Sequence, residues 1–166
     1  MLIYDFVQID MPVSAIAPRI ESSQDWLAPL AVRACQDGEG LLLRAGLGDG
    51  FRRLTKQVCM TVGPAHSRGD ALVVPIHWVA TGLAALFPVL DADLEFAPLD
   101  PDTTQLALLG SYDPPFDGIG SRIDRWALHR VTQATVRTFL ARMADTLTHT
   151  TDLTAAATGR GLTLVS

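Results

Sequence analysis

Between Gly118 and Leu147 the chain has no proline and is dominated by helix-compatible residues, and this segment limits the possible folds more than any other. At 100° per residue, Ile119, Ile123, Trp126, Ala127 and Ala134 fall on one face; Val136, Leu140, Met143 and Leu147 continue the apolar stripe on a neighbouring face. One helix of this length would span roughly 45 Å at about 1.5 Å per residue. Its wide apolar surface has to be buried against something large. Thr148 to Ser166 is polar and then weakly apolar and reads as a tail, which leaves residues 1–147 as the domain.

What comes before the helix reads as sheet. In Leu2 to Asp10, Tyr4, Phe6 and Gln8 alternate with Ile3, Asp5, Val7 and Ile9, the pattern of a strand with both faces partly covered. Pro12 ends it. Val13 to Ala17 and Ser23 to Leu27 read as two short helices, the second with Ser23 as N-cap and with Trp26 and Leu30 on one face. Strands are expected at Leu41 to Gly46, within Phe51 to Val62, at Ala71 to Ala80, at Ala92 to Ala97 and at Thr104 to Tyr112. The segments Gly46 to Gly50, Gly63-Pro64, Arg68 to Asp70 and Pro98 to Asp102 supply turns between them. Strands at hairpin spacing without helical crossovers make an antiparallel meander. That meander is the partner the long helix needs.

This order, with several local runs, resembles the helix-grip fold of the START/SRPBCC superfamily. Ile9-Asp10-Met11-Pro12-Val13 is similar to that superfamily's first strand entering its first helix, and Trp26-Leu27 sits where such proteins often carry a tryptophan. Asp93 to Leu99 with Thr103 to Leu106 resembles their late hairpin, so the likeness covers Leu2 to Leu147. It implies an α+β fold: a curved antiparallel β-sheet of about seven strands gripping a long C-terminal helix, two short helices after the first strand, and a cavity between sheet and helix. Members of the superfamily include lipid carriers, hormone receptors, polyketide cyclases, aromatase-like proteins and regulators of chaperones. They share no catalytic motif, so the fold alone does not assign a reaction.

Composition removes several classes of function. A chain of 166 residues, 48% hydrophobic and 19% charged, has the make-up of one globular domain with a continuous core. The net charge of −5 argues against nucleic acid as a partner, because such binding neutralises phosphates with Lys and Arg. The most apolar stretch, Ala71 to Leu90, is broken by Pro75, His77, Gly82 and Pro88, so no membrane span is expected. The first residues lack the basic region of a signal peptide, and the expected compartment is the cytoplasm. Cys35 and Cys59 form no ligand pair, and His66, His77, His129 and His149 have no zinc spacing. Neither metal nor organic cofactor is expected. The sequence carries no mark of an oligomeric state.

The remaining candidates for chemistry are few. Gly46 to Gly50 matches no phosphate-loop pattern and reads as a hairpin turn. Asp91, Asp93 and Glu95 share one strand face, opposite Ala92, Leu94 and Phe96, and read as a solvated outer face. On the long helix, His129 lies on the stripe of Val136 and Leu140, and Arg130 shares the face of Ile119, Ile123 and Trp126. Polar groups set among apolar ones can orient a ligand's carbonyl, hydroxyl or carboxylate. Trp78, Tyr112 and Trp126 add large apolar bodies with polar tips, and of the neighbours His77 and Trp78, the tryptophan is expected inside. The expected ligand-binding set is therefore Trp78, Tyr112, Trp126, His129 and Arg130, with no catalytic residue assigned. The first expectation for function is a non-enzymatic carrier or sensor binding a small hydrophobic or aromatic ligand. Two alternatives stand beside it: a polyketide cyclase/dehydrase-like enzyme, and an interaction module with a vestigial cavity.

Overall fold

Alternating apolar and polar residues decide which way each strand faces, and in the computed structural model those decisions agree across one antiparallel sheet. The structure describes residues 1–22, 24–44, 57–81, 89–113 and 125–159. Strands β1 (Leu2–Ile9), β2 (Gln57–Val62), β3 (His66–Arg68), β4 (Ala71–Thr81), β5 (Val89–Asp100) and β6 (Thr103–Asp113) form a six-stranded sheet in the order β1-β6-β5-β4-β2, with β3 also paired to β4. Helices α1 (Val13–Ser22) and α2 (Leu27–Arg44) follow β1, and α3 (Arg125–Gly159) comes last.

Every second residue of β5 points inward: Leu90, Ala92, Leu94 and Phe96 are buried, while Asp91, Asp93 and Glu95 lie on the other face. β4 repeats the pattern in register, with Leu72 opposite Phe96 and Trp78 opposite Leu90. Pro75 stands within β4, where a missing N–H would ordinarily break a ladder. Its carbonyl accepts from Gly63 N at 2.7 Å, in the stretch that separates β2 from β3. A strand residue turns its N and O the same way. The absent donor thus faces the break between two partner strands and costs no ladder bond. The turn from β3 to β4 uses Gly69 at φ 62°, a conformation glycine adopts without steric cost.

The helices close the inner face. From α3, Val136, Phe139, Leu140, Met143 and Leu147 are buried against the sheet side, joined by Ile16 and Ile20 of α1 and Leu27, Leu30, Ala31 and Ala34 of α2. Arg19 Nη1 donates to the Leu147 carbonyl at 2.6 Å, tying α1 to α3, and Arg142 pairs with Asp37 of α2 at 2.8 Å. A long helix held against the inner face of an antiparallel sheet is the helix-grip arrangement.

Several expectations need correction. Six strands of the sheet lie among the described residues, and Leu41 to Arg44 continue α2 instead of forming a strand. A short leucine run carries no β-branched signal and suits a helix equally well. α1 runs past Ala17 and through Pro18, since Ile16 and Ile20 one turn apart both reach the core. β5 continues to Asp100 with a register shift after Pro98, so the turn narrows to Pro101-Asp102, where Asp102 N donates to Asp100 Oδ1 at 2.9 Å. α3 continues beyond Leu147, and residues 148–159, read as part of a tail, are helical. β1 is not covered on both faces, because Leu2, Tyr4 and Phe6 are exposed. Ser23, the Gly46 to Gly50 turn and residues 118–124 lie outside the described residues.

Gly110 marks the tightest approach in the sheet. A Cβ there would run into Ala92 Cβ and the Asp91 carbonyl of β5, and neither is a flexible side-chain end. Gly110→Ala should therefore destabilise the domain by about 2–3 kcal/mol through overpacking. Gly69→Ala, strained in φ but with open space around it, should cost about 1 kcal/mol. Urea midpoints of the two variants check the order; equal midpoints would show that the β5–β6 contact can relax.

Candidate functional site

Four elements, β4, β5, β6 and α3, contribute side chains to one part of the inner face. Trp78 on β4 is 5% exposed and meets Phe139 of α3 edge-on, with ring centroids 5.4 Å apart and an interplanar angle of 66°. Leu90 of β5 lies beside it in register, and Tyr112 of β6 is opposite Leu90. His77, the neighbour of Trp78, points outward as expected.

Tyr112 is the polar centre of this group. Its side chain is 1% exposed, and its hydroxyl lies 2.8 Å from His129 Nδ1 on α3, with the rings stacked at 6.2 Å. The same hydroxyl is 3.3 Å from Met1 Sδ. The phenol has one proton, so two arrangements satisfy the pair. With the proton of His129 on Nε2, Tyr112 donates to Nδ1. With it on Nδ1, the imidazole donates to the Tyr112 oxygen and the phenol turns to the sulfur. Burial pushes the Tyr112 pKa up from its ordinary value, so the phenol stays a donor at neutral pH.

α3 adds two hydroxyls from positions that the apolar stripe alone did not mark. Thr132 and Thr135 are 8% and 6% exposed on the core side of the helix. Thr138, Thr146 and Thr148 return their hydroxyls to the carbonyl four residues earlier, which is the usual local solution. Thr135 Oγ1 does not: it is buried with no hydrogen-bond partner among the described residues. Leaving a buried hydroxyl unpaired costs about 1–3 kcal/mol. The sequence signal was present, since Thr132 and Thr135 lie near the helical phase of Val136 and Phe139. Threonine does not register as a core residue in a pattern of apolar letters.

The expected site residues therefore divide. Tyr112 and His129 meet between the sheet and α3, and Trp78 lies on the same inner face, against Phe139 further along the helix. Arg130 does not join them: it is exposed, on the same side of the helix as the exposed Gln133 and Arg137. One residue step turns a helix by 100°, so a neighbour of His129 cannot share its direction. The face assigned to Arg130 was drawn through residues 119 and 123, which lie outside the described residues. Trp126 is in the first turn of α3, and its side chain is likewise outside them.

The outer face carries a shallow groove of about 670 Å³, lined among others by Thr61, Pro75, His77, Asp91, Leu109 and Ser111. His77 Nδ1 pairs with Asp91 at 2.5 Å, and Arg68 bridges Asp93 at 2.8 Å and Glu95 at 3.4 Å. These groups are exposed or half-exposed, and such pairs contribute little in water. The carboxylates of β5 are thus engaged by Arg68 and His77, and no three His, Cys, Asp or Glu residues gather as a ligand set among the described residues. No helix among them is long and apolar enough to cross a membrane.

No protein-family model matches the sequence, and no curated protein matches it. Solved structures are similar in shape at low identity. The Zhui aromatase/cyclase from Streptomyces sp. R1128 is 13% identical with a TM-score of 0.41, covering 89% of this chain and 93% of its own. A conserved protein from Geobacillus kaustophilus is 8% identical with a TM-score of 0.45, covering 90% and 96%. A norcoclaurine synthase point mutant from Thalictrum flavum, in complex with a transition state analogue, is 11% identical with a TM-score of 0.31, covering 86% and 96%. By its own element order and sheet topology, the chain has a helix-grip fold.

Proposed function

We propose that the protein binds a small, mostly apolar molecule carrying a polar oxygen, held between the inner face of the sheet and α3. The observation that carries this reading is the buried hydroxyl of Thr135, which has no partner among the described residues. An apolar interior rarely keeps an unpaired hydroxyl without a use for it. Trp78, Leu90, Val136 and Phe139 supply the apolar surface, and the Tyr112–His129 pair supplies a second polar point. His129 and Thr135 are six residues apart, about 9 Å along the helix axis and roughly 120° around it, so a ligand reaching both would span the buried side of α3. Such a ligand would accept from or donate to one end and stack its body on Trp78 and Phe139.

The Tyr112–His129 pair also favours a second reading, an enzyme. A phenol that stays protonated beside an imidazole can exchange a proton with a bound enol or carbonyl. Turnover lost in Tyr112→Phe and His129→Gln, with binding retained, is the result that would select it over simple binding.

Binding is tested with 2-naphthol and naphthalene as probes of the same shape. Thr135→Val keeps the shape and removes the hydroxyl. The free variant should be more stable by about 1 kcal/mol, because a buried donor no longer goes unpaired. Its affinity for 2-naphthol should fall about three- to tenfold, while naphthalene binds as before. If neither probe saturates the protein, or both respond alike, the interior is ordinary core and the proposal fails.

A pH measurement isolates Tyr112. Its folded-state pKa lies above the unfolded value, so its stabilising contribution is complete below about pH 10 and is lost as pH rises through the folded value. Melting temperatures between pH 8 and 11.5 should fall on the alkaline side, and the fall should be shallower in Tyr112→Phe. An identical alkaline limb in the two proteins would place the phenol in water.

A further inference from the structure

A second cleft, of about 390 Å³, opens outward between the edge of β1 and the polar side of α3, lined by Tyr4, Asp5, Arg130, Gln133, Ala134 and Arg137. β1 is an edge strand, so one row of its main-chain donors has no partner strand. The hydrogen bonds show which row. Met1 and Tyr112 exchange both main-chain bonds, at 2.6 and 2.8 Å. Doubly bonded and unbonded pairs alternate along an antiparallel ladder. Ile3 and Asp5 consequently face β6, and the amides of Leu2, Tyr4 and Phe6 point off the sheet.

Asp5 demonstrates what this edge accepts. Its Oδ1 takes the outward Phe6 N–H at 2.9 Å, and its Oδ2 forms an ion pair with Arg137 Nε at 3.4 Å. One carboxylate thus joins an edge amide to a guanidinium of α3. β1 and α3 run in the same direction, since the Met1 end of the strand meets Tyr112 and His129 while Asp5 meets Arg137. Tyr4 therefore comes level with the helix between Arg130 and Arg137. There the same kinds of donor recur: an outward amide at Tyr4, the guanidinium of Arg130 and the side-chain amide of Gln133. Among the described residues Arg130 has no ion pair, and nothing accepts the Tyr4 N–H. In a chain of net charge −5, two arginines converging on one cleft are a local exception.

We propose that this cleft binds the carboxylate of a small organic acid. Arg130 offers the planar fork that fits a carboxylate with two parallel bonds, Tyr4 N–H and Gln133 add neutral donors, and Arg137 adds positive potential already shared with Asp5. The site faces away from the interior described above and does not depend on it.

An NMR titration of the full chain with succinate tests the proposal, following the Tyr4 amide and the Arg130 Nε–H, with succinamide as the uncharged counterpart. Succinate should give saturable shifts at both groups, and succinamide should not. Arg130→Gln should weaken succinate binding at least about tenfold, whereas Arg33→Gln, an exposed position on α2, should leave it unchanged. Asp5→Asn removes the competing carboxylate and should strengthen binding several-fold; unchanged melting temperatures separate this effect from damage to the fold. Succinate binding that survives Arg130→Gln, equal binding of succinamide, or shifts that never saturate each overturn the assignment. So does binding of an acetylated, amidated glutamate pentapeptide alone, which would make the partner a peptide rather than a free acid.

Discussion

The structure depends on burying one side of α3 against the inner face of the sheet. At about 25 cal/mol per Å² of apolar surface, the full burial of Phe139, Leu140 and Met143 in one core with Leu94, Phe96, Leu106 and Leu108 is a large favourable contribution to folding. Other features follow from that contact. β4, β5 and β6 must alternate in step, because a one-residue slip of any of them would turn its apolar set to water. α1 and α2 are placed where they brace the same helix, through Arg19 on the Leu147 carbonyl and Asp37 on Arg142.

A helix that seals a core has two sides, and α3 uses both. Among the described residues its inner side carries the polar side chains of Thr132, Thr135 and His129, and there each polar atom either finds a specific partner or is left with a desolvation cost. Its outer side presents Arg130, Gln133 and Arg137 next to the unpaired edge of β1. The same hydrogen-bonding groups have different consequences on the two sides. Inside, low polarity makes one unpaired hydroxyl expensive and a Tyr–His pair specific. Outside, water weakens each pair, and selectivity has to come from several donors converging.

The edge of β1 shows how local chemistry and topology combine. An exposed strand edge invites pairing with other chains, and charged side chains are one common protection. Asp5 points inward by strand parity, yet its carboxylate turns to the edge and occupies the Phe6 amide and Arg137 together. Tyr4 and Phe6, with ring centroids 6.0 Å apart, cover the outer face of the same strand. Protection of the edge and the donor array of the outer cleft arise from the same residues.

Much of this was legible in the sequence, for a physical reason. Strand parity and helical phase are local, so the inward set of β5, the buried stripe Val136, Leu140, Met143 and Leu147, and the opposite directions of His77 and Trp78 could be read directly from spacing. Turns marked by Gly69 and Pro101 were equally local. The leucine run at 41–44 was not, because periodicity cannot separate a short strand from a helical turn and only packing decides. The Tyr112–His129 contact joins β6 to α3 across the core, and no spacing in the chain encodes a distance between elements. The outward turn of Arg130 was set by which arc of α3 the sheet covers. Hydrophobic pattern alone determined the layers and their faces; the meeting of Tyr112 with His129 and of Trp78 with Phe139 inside, and of Tyr4, Arg130 and Arg137 outside, was decided only when sheet and helix docked, because docking fixes the one rotation of the helix that local sequence leaves free.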